Sequence, residues 1–461
     1  MTDTAARFLE LNELAVDVVE RGGRPRKGAV ACGLDYNISF DTEILESFSS
    51  TNWQAVVYDA LVVAATVEFC DRSLSRGTMN WGRRFDVRIP VHDPARWSDR
   101  SVMRALTDAL NLLTGDDWNF EFRARRTSVA TPAQNRMEFP NDAEAVIAYS
   151  EGMDSRAVDG LVRKHLGHRL VRVRVGTKRQ DIPKKASSHA PFAALPYKVK
   201  LDGNNAETSA RSRGFKFGLV SALAAYLIDA PSVIVPESGQ GALAPAILPV
   251  GQGYSDYRNH PVFTALMEKF VSALLGHRLC YRFPQLWKTK GETLRDFIDN
   301  CGEQAAKWAK TRSCWQQSRQ ASVSGKWRQC GICAACMLRR MSVHAAGLTE
   351  PRETYVWETL KSPSFAEGAA SEFNNMTPAL REYALAGVLH LEHLALIRTS
   401  AQYAMLKRRT LSELTRSLAE PPEVVASGLE RLLQRHEAEW SAFTRDLGEG
   451  SFVRKWIDTV Q

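Results

Sequence analysis

The sequence predicts an α/β fold on a doubly wound parallel sheet, and three observations carry that expectation. From Ala143 onward, short apolar runs alternate with stretches of helical periodicity. Before that point strands and helices are mixed, and beyond Thr349 the spacing of apolar residues is helical throughout. The length, 461 residues, exceeds what one hydrophobic core of about 250 to 300 residues serves, so two or three domains are expected.

The elements follow in order. Residues 1–140 read as an N-terminal α+β accessory domain, with an apolar run beginning at Ala55 and alternating segments at Phe85–Val91 and Trp118–Arg123. His92 and Asp93 stand in a turn before Pro94, where solvent-facing polar residues are the ordinary expectation. Thr127 to Asn141 lacks periodic apolar positions and reads as a linker. Ala145–Tyr149 is then a buried strand, Ser155–His168 a helix and Leu170–Val175 a strand, which makes a β-α-β unit. Ala206–Asp229 reads as helix, Ser232–Val235 as strand, His260–Leu275 as helix and His277–Phe283 as strand, within a domain spanning 141–348. The remainder, 349–461, is a helical extension with helices at Leu380–Ile397 and Val424–Leu447, separated by Pro421-Pro422. Its charged faces read as ordinary solvated surface.

Composition excludes several classes. With 44% hydrophobic and 24% charged residues the chain is globular rather than disordered or fibrous. The longest apolar stretch, Gly218–Ile228, is far short of the roughly 18 residues that suggest a membrane span. The start has no signal pattern and Cys32, Cys70, Cys280 and Cys301 have no framework spacing, so a reducing cytoplasm is expected. The net charge is +8, but Arg156 to Lys216 holds 15 Lys and Arg against 4 Asp and Glu. That segment is either a solvated basic surface or a site that attracts triphosphate, RNA or an acidic protein.

Two clusters carry chemistry. Cys314, Cys330, Cys333 and Cys336 have the spacing of a zinc knuckle, since alternating thiolates on a tight turn converge on one ion with Zn–S bonds of about 2.3 Å. Four ligands leave no open position, so the role is structural. The second cluster, Ser150-Glu151-Gly152-Met153-Asp154-Ser155, leaves a buried strand and opens a helix, which directs free backbone N–H groups at an anion such as pyrophosphate. Ser150 and Ser155 can add hydroxyl donors, and Asp154 can cap the helix or help hold the magnesium that accompanies ATP. On spacing alone, a plain helix cap explains the same letters.

These residues resemble a known family. The loop is similar to the Ser-Gly-Gly-x-Asp-Ser loop of the ATP pyrophosphatases, and Cys330 to Arg339 resembles the Cys-Gly-x-Cys-x-x-Cys-x-x-Arg ending of the QueC family, the 7-cyano-7-deazaguanine synthases. Gly253-Tyr254-Ser255-Asp256-Tyr257-Arg258 is similar to that family's Gly-Tyr-Pro-Asp-Cys-Arg segment, and Thr289-Lys290-Gly291-Glu292 to its Thr-Lys-x-Glu segment. Ala210-Arg211-Ser212 with Phe215 is a fainter match to its Gly-Arg-Asn segment. The resemblance covers about Ala143 to Gly347. It implies an adenine nucleotide alpha hydrolase-like, PP-loop fold with Asp154 and Ser155 at the reacting phosphates. Residues 150–155 and Lys290 would hold ATP, and Arg211, Tyr254, Asp256 and Arg258 would hold a 7-deazaguanine. The implied reaction is adenylation of the carboxylate of 7-carboxy-7-deazaguanine, with pyrophosphate leaving, followed by attack of an amine to form an amide.

Three departures qualify the product. Glu151 replaces a glycine of the loop, 15 residues separate Cys314 from Cys330, and about 140 residues precede and over 100 follow the matching region. Large flanks suit an enzyme with a macromolecular substrate. In this the chain resembles the QueC-like proteins of bacterial anti-phage systems, Qat and type IV CBASS. The amine is then expected to be the N-terminal amine of a partner protein encoded in the same operon. Competing expectations are free nitrile synthesis from ammonia, a tRNA-modifying enzyme of the same superfamily, with nucleic acid less favoured, and a binding module that has lost catalysis. No membrane partner is expected.

Overall fold

A computed structural model describes residues 12–40, 54–77, 81–127, 142–150, 152–175, 195–248, 254–316 and 320–460. The chain forms two compact units: Met1–Ser150, Leu166–Val235 and Asp256–Arg282 in the first, and Glu151–His165, Pro236–Ser255 and Phe283–Gln461 in the second. Of the expected segments, 1–140 falls wholly in the first unit and 349–461 wholly in the second, while 141–348 is divided between them. Glu151, Gly253, Arg319, all but the first residue of the expected linker and much of the basic segment lie outside the described residues.

The first unit carries two four-stranded parallel sheets. One joins β1 (Asn12–Val19), β2 (Val30–Gly33), β4 (Arg83–Val91) and β5 (Asp117–Ala124) in the order β2-β1-β4-β5. Here the α+β expectation is corrected to α/β. The alternation in β4 and β5 marks a half-buried sheet, a pattern more usual in antiparallel strands. The parallel arrangement keeps it because only one face is covered. Phe85, Val87, Ile89, Trp118, Phe120 and Phe122 are buried, with helices α1 (Ala55–Ser73) and α2 (Arg100–Thr114) packing on the sheet. The other face is a ladder of cross-strand ion pairs, Glu13–Arg84–Asp117 and Asp17–Arg88–Glu121, between residues that the register sets side by side. Such exposed pairs add little to stability, but a slip of two residues, which keeps each side chain on its face, would set Asp86 against Glu13 or Asp17.

The second sheet has the order β10-β9-β6-β7, from β6 (Ala145–Tyr149), β7 (Leu170–Arg174), β9 (Ser232–Ile234) and β10 (Cys280–Arg282). Helix α3 (Met153–Leu166) links β6 to its parallel neighbour β7, as the β-α-β reading expects. Helix α4 (Arg213–Leu227) packs on β6 and β9, and α5 (Pro261–Leu275) on β10. A further pair, β3 (Ile38–Phe40) with β8 (Tyr197–Val199), is antiparallel and ties the N-terminal segment to the middle of the chain.

Helix α4 begins seven residues later than its apolar run suggests. Residues 205–212 instead run along the end of α1: Ala206 N–H donates to the Arg72 carbonyl at 3.0 Å, and Ser212 N–H to Asp71 Oδ2 at 2.9 Å. Asp71 in turn belongs to a buried ion network with Arg83, Asp116 and Arg76.

The second unit is mainly helical: α3, α6 (Lys290–Asn300), α7 (Ala334–Ala345), α8 (Pro378–Leu396), α9 (Tyr403–Leu418), α10 (Pro422–Leu447) and α11 (Phe452–Val460). Met153 and Ala157 of α3 pack on Leu294, Phe297, Val343 and Ala346. Gly160 permits this approach, since a Cβ there would stand 2.4 Å from the Phe297 ring. The cysteine turn shares a core with Trp357, Leu380, Val388 and Trp440. Among the described residues no helix is long and apolar enough to cross a membrane.

Candidate metal centre and phosphate loop

Cys330 and Cys333 lie on a turn that Gly331 makes possible with φ +85°, Cys333 caps α7, and Cys336 falls in its first turn. Cys314 joins them through a hydrogen bond from Cys330 N–H to its sulfur at 3.2 Å. Cys330 Sγ likewise accepts the Cys333 N–H at 3.3 Å. All four are free thiols, their Sγ atoms within 4.8 Å of one another, and Cys330 and Cys336 stand 3.8 Å apart. A tetrahedron with metal–sulfur bonds of about 2.3 Å has edges of about 3.8 Å, so the group fits a zinc ion. Burial pushes the Cys333 and Cys336 thiols up, which makes a bound cation the means of holding them as thiolates. Buried Arg339 braces the site, bonding Glu350 at 2.7 Å and Thr311 Oγ1 at 2.8 Å.

Of the candidate phosphate loop, Ser150 ends a segment of the first unit and residues 152–155 belong to the second. Met153 is 2% exposed, so its side chain is core. Ser155 is buried and its hydroxyl donates to the Gly152 carbonyl at 3.2 Å. Asp154 forms an ion pair with Lys290, 136 positions along the chain, while its Oδ1 is buried with no hydrogen-bond partner among the described residues.

Lys290 is held by its surroundings. Thr289 caps α6 in a reciprocal capping box with Glu292, at 3.0 Å in each direction. The Lys290 N–H donates to Gln240 Oε1 at 2.8 Å, and Gln240 Nε2 meets His436 Nδ1 at 2.8 Å. Burial pushes His436 down to about 4, so it is neutral at pH 7, with Nδ1 accepting and Nε2–H donating to the Leu391 carbonyl. Glu439 Oε1 accepts the Thr289 hydroxyl at 2.5 Å, and Arg431 and Arg435 pair with Glu292. Burial pushes Glu439 up to about 7, outweighing the Thr289 hydrogen bond. These four residues of α10, spaced 0, 4, 5 and 8 from Arg431, share one helix face. That face was expected to be solvated surface and instead grips the Lys290 turn; the spacing was the signal available in the sequence.

In the first unit Asp256 is chelated by Arg258 at 2.8 and 2.5 Å and lies 3.7 Å from Arg211. Burial raises the Asp256 carboxyl, but the two arginines overcome it and hold it below the usual range. The Arg211 guanidinium lies over Trp81, which also carries Arg76. Tyr254 belongs to the second unit and is half-buried.

Comparison with protein-family models, curated proteins and solved structures finds no match. Fold and site together define an α/β protein with parallel sheets and a four-cysteine centre able to bind a metal such as zinc.

Proposed function

We propose that this protein is an ATP-dependent carbon–nitrogen ligase of the QueC-like type, acting on the carboxylate of 7-carboxy-7-deazaguanine. The observation that carries the reading is the Asp154–Lys290 pair, because it joins the two nucleotide segments of the resemblance across 136 positions. In the proposed reaction the carboxylate attacks the α-phosphate of ATP and expels pyrophosphate, giving an acyl adenylate. An amine then displaces AMP and forms the amide, losing its proton. Lys290 and the loop N–H groups would stabilise charge on the departing pyrophosphate. Asp154 Oδ1, without a hydrogen-bond partner among the described residues, is a hard oxygen ligand suited to the magnesium bound with ATP. The acceptor would be the N-terminal amine of a partner protein, a group partly neutral at cellular pH because its pKa is about 8.

The test is pyrophosphate release from ATP with 7-carboxy-7-deazaguanine, alongside intact mass spectrometry of proteins encoded beside this one. Release that Asp154→Asn abolishes, with a mass gain on one N-terminus, is the expected result. Equal background rates for both proteins would sink the enzyme reading, and free nitrile with no mass gain would reject protein conjugation.

A further inference from the structure

The N-terminal sheet has features of a site in its own right. Its four strands are parallel in the order β2-β1-β4-β5. The chain therefore leaves the carboxyl end of β1 toward β2 on one side, and that of β4 toward β5 on the other. Open parallel sheets bind ligands where neighbouring connections diverge in this way. The residues that immediately follow β1, β4 and β5 are Glu20, His92 and Arg125.

His92 was expected to be a solvent-facing turn residue, and only Asp93 behaves so, capping the turn that follows at 3.0 Å. The His92 ring Nδ1 lies 2.7 Å from Asp59 Oδ1, and its backbone N–H donates to Asp59 Oδ2 at 2.9 Å. Asp59 sits on α1 and is fully buried. A carboxylate behind Nδ1 sets the tautomer and leaves Nε2 as the working nitrogen of a ring that is 24% exposed.

Arg125 stands beside it, because Val91 is in register with Ala124 and Arg125 N–H donates to the Val91 carbonyl at 2.9 Å. Its side chain is 8% exposed, and its guanidinium lies 4.8 Å from the centre of the Tyr58 ring, which His92 meets edge-on at 6.0 Å. Nε donates to the Thr127 carbonyl, but Nη1 is buried with no hydrogen-bond partner among the described residues. Glu20 does not fill that need. It lies 3.7 Å from Nε, and its oxygens accept the Arg126 and Thr127 N–H groups and the Thr127 hydroxyl. A buried guanidinium N–H without an acceptor is costly, and an oxyanion supplies the acceptor.

We propose that the carboxyl ends of β1, β4 and β5 form a second ligand site, in which Arg125 and His92 hold the phosphate or carboxylate group of a small molecule. This site is separate from the ligase reading and stands or falls without it.

Carbethoxylation of histidine by diethyl pyrocarbonate, followed residue by residue by mass spectrometry on the full chain, tests it without ATP. Inorganic phosphate, acetate and chloride at matched ionic strength are the probes, with exposed His165 and His393 as internal references. At saturation, phosphate or acetate should slow modification of His92 about tenfold, and Arg125→Gln should remove the protection while Arg126→Gln keeps it. Protection by phosphate alone assigns a phosphoryl ligand, and by acetate a carboxylate. Equal His92 rates in all three anions on the unsubstituted protein, or protection that survives Arg125→Gln, would overturn the proposal.

Discussion

Glu439→Gln offers a quantitative probe of the grip that α10 exerts on the Lys290 turn. Glu439 is 6% exposed, and burial raises its carboxyl from an ordinary 4.5 to about 7. The folded state thus prefers the proton. Its contribution is fully present below pH 4.5 and is lost as pH rises toward 7, after which folded and unfolded states are both ionised. At 1.36 kcal/mol per pKa unit the whole loss is roughly 3 kcal/mol, of which roughly 2 falls between pH 5.5 and 8.5. Glutamine has no proton to lose, and any fixed cost of its amide beside Gly291 cancels when slopes are compared. Melting of the second unit, with hydrogen exchange reporting on residues 286–296, should show the difference between variant and native Tm growing by about 4–8 °C from pH 5.5 to 8.5. The increase should flatten above pH 7. Parallel pH dependences for the two proteins would refute the assignment of Glu439 as a buried, proton-holding group.

Cys333→Ser should lower zinc content well below one ion per chain and destabilise the second unit, as read by metal analysis and melting; undiminished zinc would show that Cys333 is not a ligand. Gly160→Ala should cost about 1–3 kcal/mol through the clash with Phe297, checked by denaturant midpoint, and Phe297→Leu in the same chain should recover much of it. Arg83→Met should cost about 3–5 kcal/mol by leaving Asp71 and Asp116 short of charge, whereas Arg84→Ala on the exposed ladder should leave the midpoint nearly unchanged in the same melting assay.

Local patterns carried much of this structure. The strands at Ala145–Tyr149, Leu170–Arg174 and Ser232–Ile234 and the helices α3, α5, α8 and α10 were legible because apolar spacing and turn residues are written within a dozen positions. The cysteine cluster was legible for the same reason. The start of α4 was not, because hydrogen bonds to α1, over 130 positions away, hold residues 205–212 out of the helix. Nor was the pairing of the N-terminal strands, since alternation reports how many faces are buried and not the direction of the neighbour.

By itself, then, the sequence determined an α/β chain with parallel strands, a four-cysteine turn and a loop between strand and helix at 150–155. Tertiary structure alone decided that Asp154 meets Lys290, that α10 supplies Glu439 and His436 to that turn, and that Asp59 stands behind His92. The reason is physical. A hydrogen bond or ion pair between distant positions leaves no periodicity in the chain, and a buried carboxylate reads like any other until its surroundings remove the water.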